Sequence, residues 1–261
     1  MCVEDERQGV GERLGRIVSS YMGFETLKIL LLPGMDGSGE LFRDFVAKLP
    51  AGFATETVHY PADHVVGYAE LEELVRTVMP VGEPFVLLAE SYSTPLAIRI
   101  AATRPEGLRG LVLVSGFATS PVRGWLHDLT AMLPLRALRL VFPEIVVRWL
   151  LVGSDAPEAL VRAVASEIDW VEPAVLAARM REVLMCDVRA ELAQVGVPIR
   201  YLRAAEDRLV SVECLEEILL IQPRTAVTTI DGPHLLLQRE AGLCAQMVAE
   251  FVRGLESGED V

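Results

Sequence analysis

Ser91 stands where the sequence most suggests chemistry. Before it runs Phe85-Val-Leu-Leu-Ala-Glu90, an apolar stretch that reads as a buried strand. After it runs Pro95-Leu-Ala-Ile-Arg-Ile-Ala-Ala-Thr103, which reads as a helix. Ala89 and Ser93 lie two positions to either side. A serine on a strand-to-helix turn between small residues has its hydroxyl lifted clear of the sheet, beside the unpaired N–H groups of a helix start. That layout suits a nucleophile, but a serine hydroxyl also needs a base within hydrogen-bond reach and a group to orient that base.

The chain has four histidines: His59, His64, His127 and His234. His234 lies in the loop Asp231-Gly-Pro-His234, directly after a predicted strand, and so at the end of the sheet where Ser91 belongs. His59 falls inside a strand, His64 in the loop after it, and His127 in a helical stretch, so position favours His234 as the base. The orienting acid should also follow a strand. Asp207 does, after Pro198–Arg203. Glu206 is its neighbour, and Asp231 is the main rival because it is close to His234 in sequence. The order Ser91, Asp207, His234 is one known arrangement of such a triad.

A third segment, Pro33-Gly-Met-Asp-Gly-Ser-Gly39, follows the aliphatic run Leu27–Leu32 and carries three glycines. Acyl transfer passes through an oxyanion that needs fixed N–H donors. The backbone N–H groups of Met35 and Tyr92 are the candidates. Glycine loops after strands also cradle phosphates, but neither Gly-Lys-Ser/Thr nor Gly-x-Gly-x-x-Gly is present here.

The elements that must position these residues alternate. Strands are expected at 27–32, 54–60, 85–90, 108–115, 198–203 and 225–230, the last with the alternation of a sheet edge. Helices are expected at 40–49, 68–79, 95–103, 211–220 and 238–255. Such alternation predicts an α/β fold with a mostly parallel sheet covered on both faces. Residues 118–196 break the pattern, with no convincing strand and an apolar surplus, and read as a helical insertion over the sheet. The expected organisation is a partly disordered or edge-strand segment at 1–25, a core at 26–117 and 197–255, a lid at 118–196 and a disordered tail at 256–261. Gly34, Trp125, Leu129 and Met132 are the candidate substrate contacts.

The chain has 261 residues, 51% of them hydrophobic but only 6% aromatic, enough for a large aliphatic core. A net charge of −13 argues against a nucleic-acid partner. Cys2, Cys186, Cys214 and Cys244 show no metal-ligand or redox spacing and are expected to be small buried hydrophobes. No secretory signal and no membrane-spanning run is evident, so a cytoplasmic protein is expected. Between 118 and 152, Arg123, Arg136, Arg139 and Arg148 face only Asp128 and Glu144. This local surplus could meet an anionic head group, CoA or an acidic acyl carrier, although a solvated helix face explains it too.

With these residues in place, the chain resembles the α/β-hydrolase superfamily from about residue 26 to 254. Leu-Pro33-Gly-Met-Asp-Gly-Ser-Gly39, Ala-Glu-Ser91-Tyr-Ser and Gly232-Pro-His234-Leu-Leu-Leu-Gln238 are similar to the hydrolase part of phytyl-ester-synthase-like proteins and their small bacterial relatives. The resemblance implies ester or thioester hydrolysis, or acyl transfer, by a triad of Ser91, Asp207 and His234. At the elbow Ala89, Ser93 and Thr94 replace glycines of that pattern, and Thr94 is bulky enough to narrow the space behind the serine. The expected function is a serine hydrolase acting on an ester or thioester with an apolar acyl group. It needs no metal or organic cofactor and works as a monomer or homodimer. Two alternatives remain: an acyltransferase using the same acyl-enzyme, and a non-catalytic binding protein. Dehalogenase or epoxide-hydrolase chemistry on this fold uses an Asp nucleophile, against which Ser91 speaks.

Overall fold

The computed structural model describes residues 27–122 and 144–257. The expectations for the N-terminal segment, His127, Trp125, Leu129, Met132, Arg123, Arg136 and Arg139 lie outside these residues.

Six strands form one parallel sheet: β1 (Lys28–Leu32), β2 (Ala54–Thr57), β3 (Phe85–Glu90), β4 (Leu108–Val114), β5 (Ile199–Ala204) and β6 (Ala226–Ile230), in the order β2-β1-β3-β4-β5-β6. The continuous aliphatic runs follow from burial on both faces. Leu30, Leu32, Leu87, Ala89, Leu111 and Leu113 pack into one core, under helices Tyr68–Val78, Thr94–Ala102 and Val212–Ile221. Their alternates Ile29, Leu31, Val86, Leu88, Val112 and Val114 pack into a second, with helices Arg43–Lys48 and Ala241–Ser257. β6 lies at the sheet edge, as its alternation suggests, with Val227 and Thr229 exposed.

The strand order matters for function. The chain starts at β1, steps outward to β2, then returns past β1 to β3 and continues the other way. The loops leaving the C-terminal ends of β1 and β3 therefore diverge to opposite faces and open a crevice between them. Those two loops are Pro33–Gly39 and the turn at Ser91.

Three boundaries differ from the sequence expectation by more than one residue. β2 ends at Thr57 instead of Tyr60, because the chain peels away from the sheet. Val58 N–H still reaches Leu31 O at 3.0 Å, but Tyr60 N–H bonds Gly37 O in the glycine loop at 2.8 Å. The C-terminal helix is two pieces, Leu236–Arg239 and Ala241–Ser257, broken at Glu240. Glu256 and Ser257 belong to the second piece instead of a disordered tail, and Glu256 Oε1 accepts the Leu27 N–H at 3.1 Å, which ties the helix end to the start of β1.

Among the described residues between 118 and 196 there is no strand. A short helical turn, Glu144–Val146, runs into a π-helical turn, Val147–Val152, followed by helices Glu158–Trp170, Pro173–Leu184 and Arg189–Leu192. The excursion closes at an isolated antiparallel bridge between Thr119 and Asp187, flanked by Ser120 N–H to Cys186 O at 3.0 Å and Val188 N–H to Ala118 O at 2.8 Å. No helix among the described residues is long and apolar enough to cross a membrane. Cys214 and Cys244 are buried, and Cys186 is half-buried with its thiol toward Ala118 O.

Candidate active site

Ser91 has φ of 48°, a left-handed backbone for a residue with a side chain. Such a conformation costs about 1–3 kcal/mol and persists only where its surroundings hold it. Here a single 3₁₀ turn, Ser91–Ser93, leads into helix Thr94–Ala102, which has Pro95 in its first turn. Tyr92 is the second residue of that 3₁₀ turn, so its N–H precedes the first bond the turn can make to itself.

The replacements at the elbow each find a partner. Ser93 is fully buried and donates its hydroxyl to Pro33 O. Because that proton is committed, the Tyr60 hydroxyl donates to Ser93 Oγ, at 2.7 Å. Thr94 bonds Ser91 O at 2.8 Å and receives the Phe117 N–H at 3.1 Å. Its bulk is accommodated by Gly116, where an added Cβ would lie 2.7 Å from the Thr94 methyl. The threonine therefore fills space between β3 and β4, behind the turn.

Ser91, His234 and Asp207 are brought into one chain of hydrogen bonds. Ser91 Oγ is 2.8 Å from His234 Nε2, and His234 Nδ1 is 2.8 Å from Asp207 Oδ2 and 3.0 Å from Oδ1. Asp207 Oδ1 also accepts the N–H groups of Leu209 and Val210, each at 2.9 Å. The Asp207 carboxyl is buried, which alone would raise its pKa. The charge and hydrogen bond of His234 and the two backbone donors outweigh burial and hold it below the usual carboxylate range. An ionised Asp207 only accepts, so His234 carries its proton on Nδ1, and Nε2 is left to accept from the Ser91 hydroxyl. Burial alone would lower the His234 pKa. The Asp207 charge and hydrogen bond reverse this and raise it above its ordinary value, and a negative charge on Glu90 would add to the rise.

The rivals for these roles are elsewhere. Asp231 and Glu206 are exposed, and the His234 ring bonds Asp207 instead. His59 lies beyond the end of β2 and bonds Ser38 O, while His64 is exposed and pairs with Asp63. Sequence reasoning missed Ser115, at the end of β4, also at positive φ (47°), whose hydroxyl donates to His234 O at 2.8 Å and fixes the histidine's backbone. Nothing short of the β4–β6 neighbourhood would have marked it.

The glycine loop is held from several sides. Gly34 O accepts the Gly37 N–H at 3.1 Å. In a planar trans peptide the Met35 N–H then points the opposite way. Asp36 closes the turn, its Oδ2 accepting both the N–H (2.9 Å) and the hydroxyl (2.7 Å) of Ser38. The residue that locks the loop in place was also missed. Arg179, on helix Pro173–Leu184, is fully buried. Its guanidinium donates to Met35 O at 2.6 Å, Asp36 O at 2.9 Å and Pro61 O at 2.8 Å, and lies over the Tyr60 ring at 5.8 Å. Gly37 makes room for it: φ is 71°, and a Cβ there would lie 2.8 Å from Arg179 Nη1. An arginine in an amphipathic helix reads as solvent-facing, so nothing in the local pattern reveals it.

Beside this loop a cavity of about 780 Å³ is lined by Asp36, Glu40, Asp63, Glu167 and Glu172, with Trp170 at its rim. Ser91 and His234 do not line it. Of the expected anionic-ligand patch, only Arg148 is described, and it is engaged by Ala156 O and Glu158.

The fold, an open parallel sheet with a serine at the switch between β1 and β3, is that of the α/β-hydrolases. Solved structures similar to it include a bromoperoxidase from Bacillus anthracis (TM-score 0.76, 14% identity, 87% of this chain and 92% of that one). A hydrolase from Oleispira antarctica is also similar (TM-score 0.73, 15% identity, 87% and 91%), as is a carboxylesterase from Bacillus subtilis (TM-score 0.66, 17% identity, 88% and 85%). No protein-family model matches the chain, and no curated protein matches it in sequence.

Proposed function

We propose that the protein is a serine hydrolase that cleaves a carboxylic ester or thioester with an apolar acyl group. The observation that carries this reading is the unbroken relay from Ser91 Oγ through His234 to the buried Asp207 carboxylate, set beside the glycine loop at the switch point of the sheet.

In the proposed reaction Ser91 Oγ attacks the substrate carbonyl carbon while His234 Nε2 takes the hydroxyl proton. The oxyanion is held by the N–H groups of Met35 and Tyr92. Its collapse expels the alcohol or thiol, which takes the proton from His234, and leaves the acyl group on Ser91. Water then gives a proton to Nε2, attacks the acyl-enzyme and releases the acid, and Ser91 recovers its proton. Asp207 stabilises the imidazolium in both halves. Residues 118–196 are the proposed lid.

The test is fluorophosphonate labelling combined with hydrolysis of p-nitrophenyl esters from acetate to palmitate. Covalent labelling at Ser91 with turnover on any chain length is the expected outcome. An unlabelled, folded protein with no turnover would favour a binding protein instead. A pH profile adds a second check. The base must be neutral to accept a proton, and Asp207 raises the His234 pKa above 6.5, so kcat/KM should climb with pH on a limb centred above that value. In Asp207→Asn the limb should move to lower pH, because the charge that stabilises the imidazolium is gone.

A further inference from the structure

Glu90, the residue before Ser91, is a carboxyl group almost without access to water, at 1% exposure. The pleat of β3 puts it there: Val86, Leu88 and Glu90 share one face, the face that packs against the C-terminal helices around Leu236 and Cys244. No lysine or arginine among the described residues forms an ion pair with it. Its partner is Gln238, whose Nε2 donates to Glu90 Oε2 at 3.2 Å and to Leu41 O at 3.4 Å. Leu41 O, which can only accept, fixes the amide orientation, since the flipped amide would set its oxygen against it.

Two buried oxygens are then left without a donor: Glu90 Oε1 and Gln238 Oε1. They belong to the same pair of planar groups, already joined at their other ends. One proton on Glu90 Oε1 would supply the missing donor: aimed at Gln238 Oε1, its O–H would serve both oxygens while Nε2–H continues to donate to Oε2. The result is a closed ring of two hydrogen bonds between a carboxylic acid and a carboxamide. Left ionised, the carboxylate would keep one oxygen without a donor in a dry setting, which is costly.

The neighbouring charges agree. Asp36 sits on the other side of Gly34, where an added Cβ would lie 3.5 Å from Asp36 Oδ1 and 3.7 Å from Glu90 Oε2. Asp36 Oδ2 accepts two donors from Ser38. His234 and Cys244 are also close enough for a Glu90 charge to act on them. Burial first, and then the Asp36 charge, push the Glu90 pKa up to about 8, against the smaller pull of His234 and Gln238.

We propose that Glu90 works as a neutral carboxylic acid paired head to head with the Gln238 amide beneath the Pro33–Gly39 loop, and that loss of its proton switches the site off. The second half rests on the serine-hydrolase reading; the first does not. An ionised Glu90 would put negative charge below the loop proposed to receive the oxyanion, and would hold His234 more firmly as the imidazolium. Both effects oppose attack by Ser91. Glu90 is thus a positioning and charge-setting residue that never touches substrate.

Glu90→Gln tests both halves, since glutamine is a permanently neutral mimic. Between about 4.5 and about 8 the folded protein keeps a proton that the unfolded chain releases, so wild type loses stability as pH rises through this window. The Tm of Glu90→Gln minus that of wild type should therefore grow with pH across it and then level off. A flat difference overturns the neutral acid. In kcat/KM for a p-nitrophenyl ester, wild type should descend above about pH 8, about tenfold per pH unit, and Glu90→Gln should lack this limb. An unchanged limb overturns the switch. If no ester is turned over, the hydrolase reading fails, while the stability measurement still decides the state of Glu90. Should Glu90→Gln not fold, infrared titration of the wild-type protein reads the same point: a protonated-carboxyl stretch present at neutral pH should vanish on going alkaline, and its absence would overturn the pair.

Discussion

Alanine at position 91 should lower kcat for a p-nitrophenyl ester by about 10⁴–10⁶-fold, with KM and Tm little changed. The hydroxyl is the only atom in the relay able to form the acyl-enzyme, and its removal leaves His234 with a proton acceptor but nothing to activate. What survives should be the small acceleration provided by the N–H groups of Met35 and Tyr92 acting on water. The fold should tolerate the change, because alanine suffers the same left-handed backbone as serine and loses one hydrogen bond at a half-exposed position. Turnover above about a hundredth of wild type, measured on protein whose Tm confirms folding, would mean that a group other than Ser91 attacks the substrate.

The second large effect is expected at Arg179. Its removal leaves Met35 O, Asp36 O and Pro61 O without their shared donor, and three orphaned carbonyls in a buried setting cost about 2–4 kcal/mol in total after relaxation. For a chain of this size that is a fall in Tm of about 5–15 °C. Activity should fall for a different reason. The guanidinium clamps the two carbonyls that follow the Met35 N–H, so a freed loop would no longer aim that group. On the proposed mechanism this N–H holds the oxyanion, and loss of one such donor costs about 10²–10³ in kcat. Arg179→Lys cannot reach three carbonyls with one ammonium and should recover only part of either loss. Guanidinium added to Arg179→Ala should restore kcat more than KM. A variant that is destabilised but keeps wild-type kcat below its Tm would refute the positioning role.

The sequence made the sheet and the relay legible for related reasons. A strand buried on both faces must be aliphatic throughout, so β1, β3 and β4 stand out from any polar background. A residue that ends such a strand in a polar loop is thereby marked, which is how Ser91, Asp207 and His234 could be found without coordinates. What stayed hidden depends on contacts between segments far apart in the chain. Arg179 is 144 residues from Met35, and its helix pattern is that of any surface helix. Ser115 and Gln238 do their work only once β4 and the last helices are packed beside β3. Glu90 could be placed on β3, but its lack of a cationic partner is a property of the packed face. The split at Glu240 and the early end of β2 likewise follow from local competition for backbone partners, which composition does not record.

The bridge between Thr119 and Asp187 has a consequence of its own. The chain leaves and re-enters the sheet side by side, and the cost of closing a loop grows only slowly with its length. The segment between these two residues is therefore close to a cassette. Its content could be lengthened, shortened or exchanged through evolution or by hand while the strands, the relay and their register stay as they are. Any replacement must still deliver a guanidinium to the glycine loop and meet the contacts that seat the present segment beside His234, where Leu235 N–H bonds Leu151 O and Arg239 pairs with Asp155. Diversification of what the site accepts is tethered at these anchors.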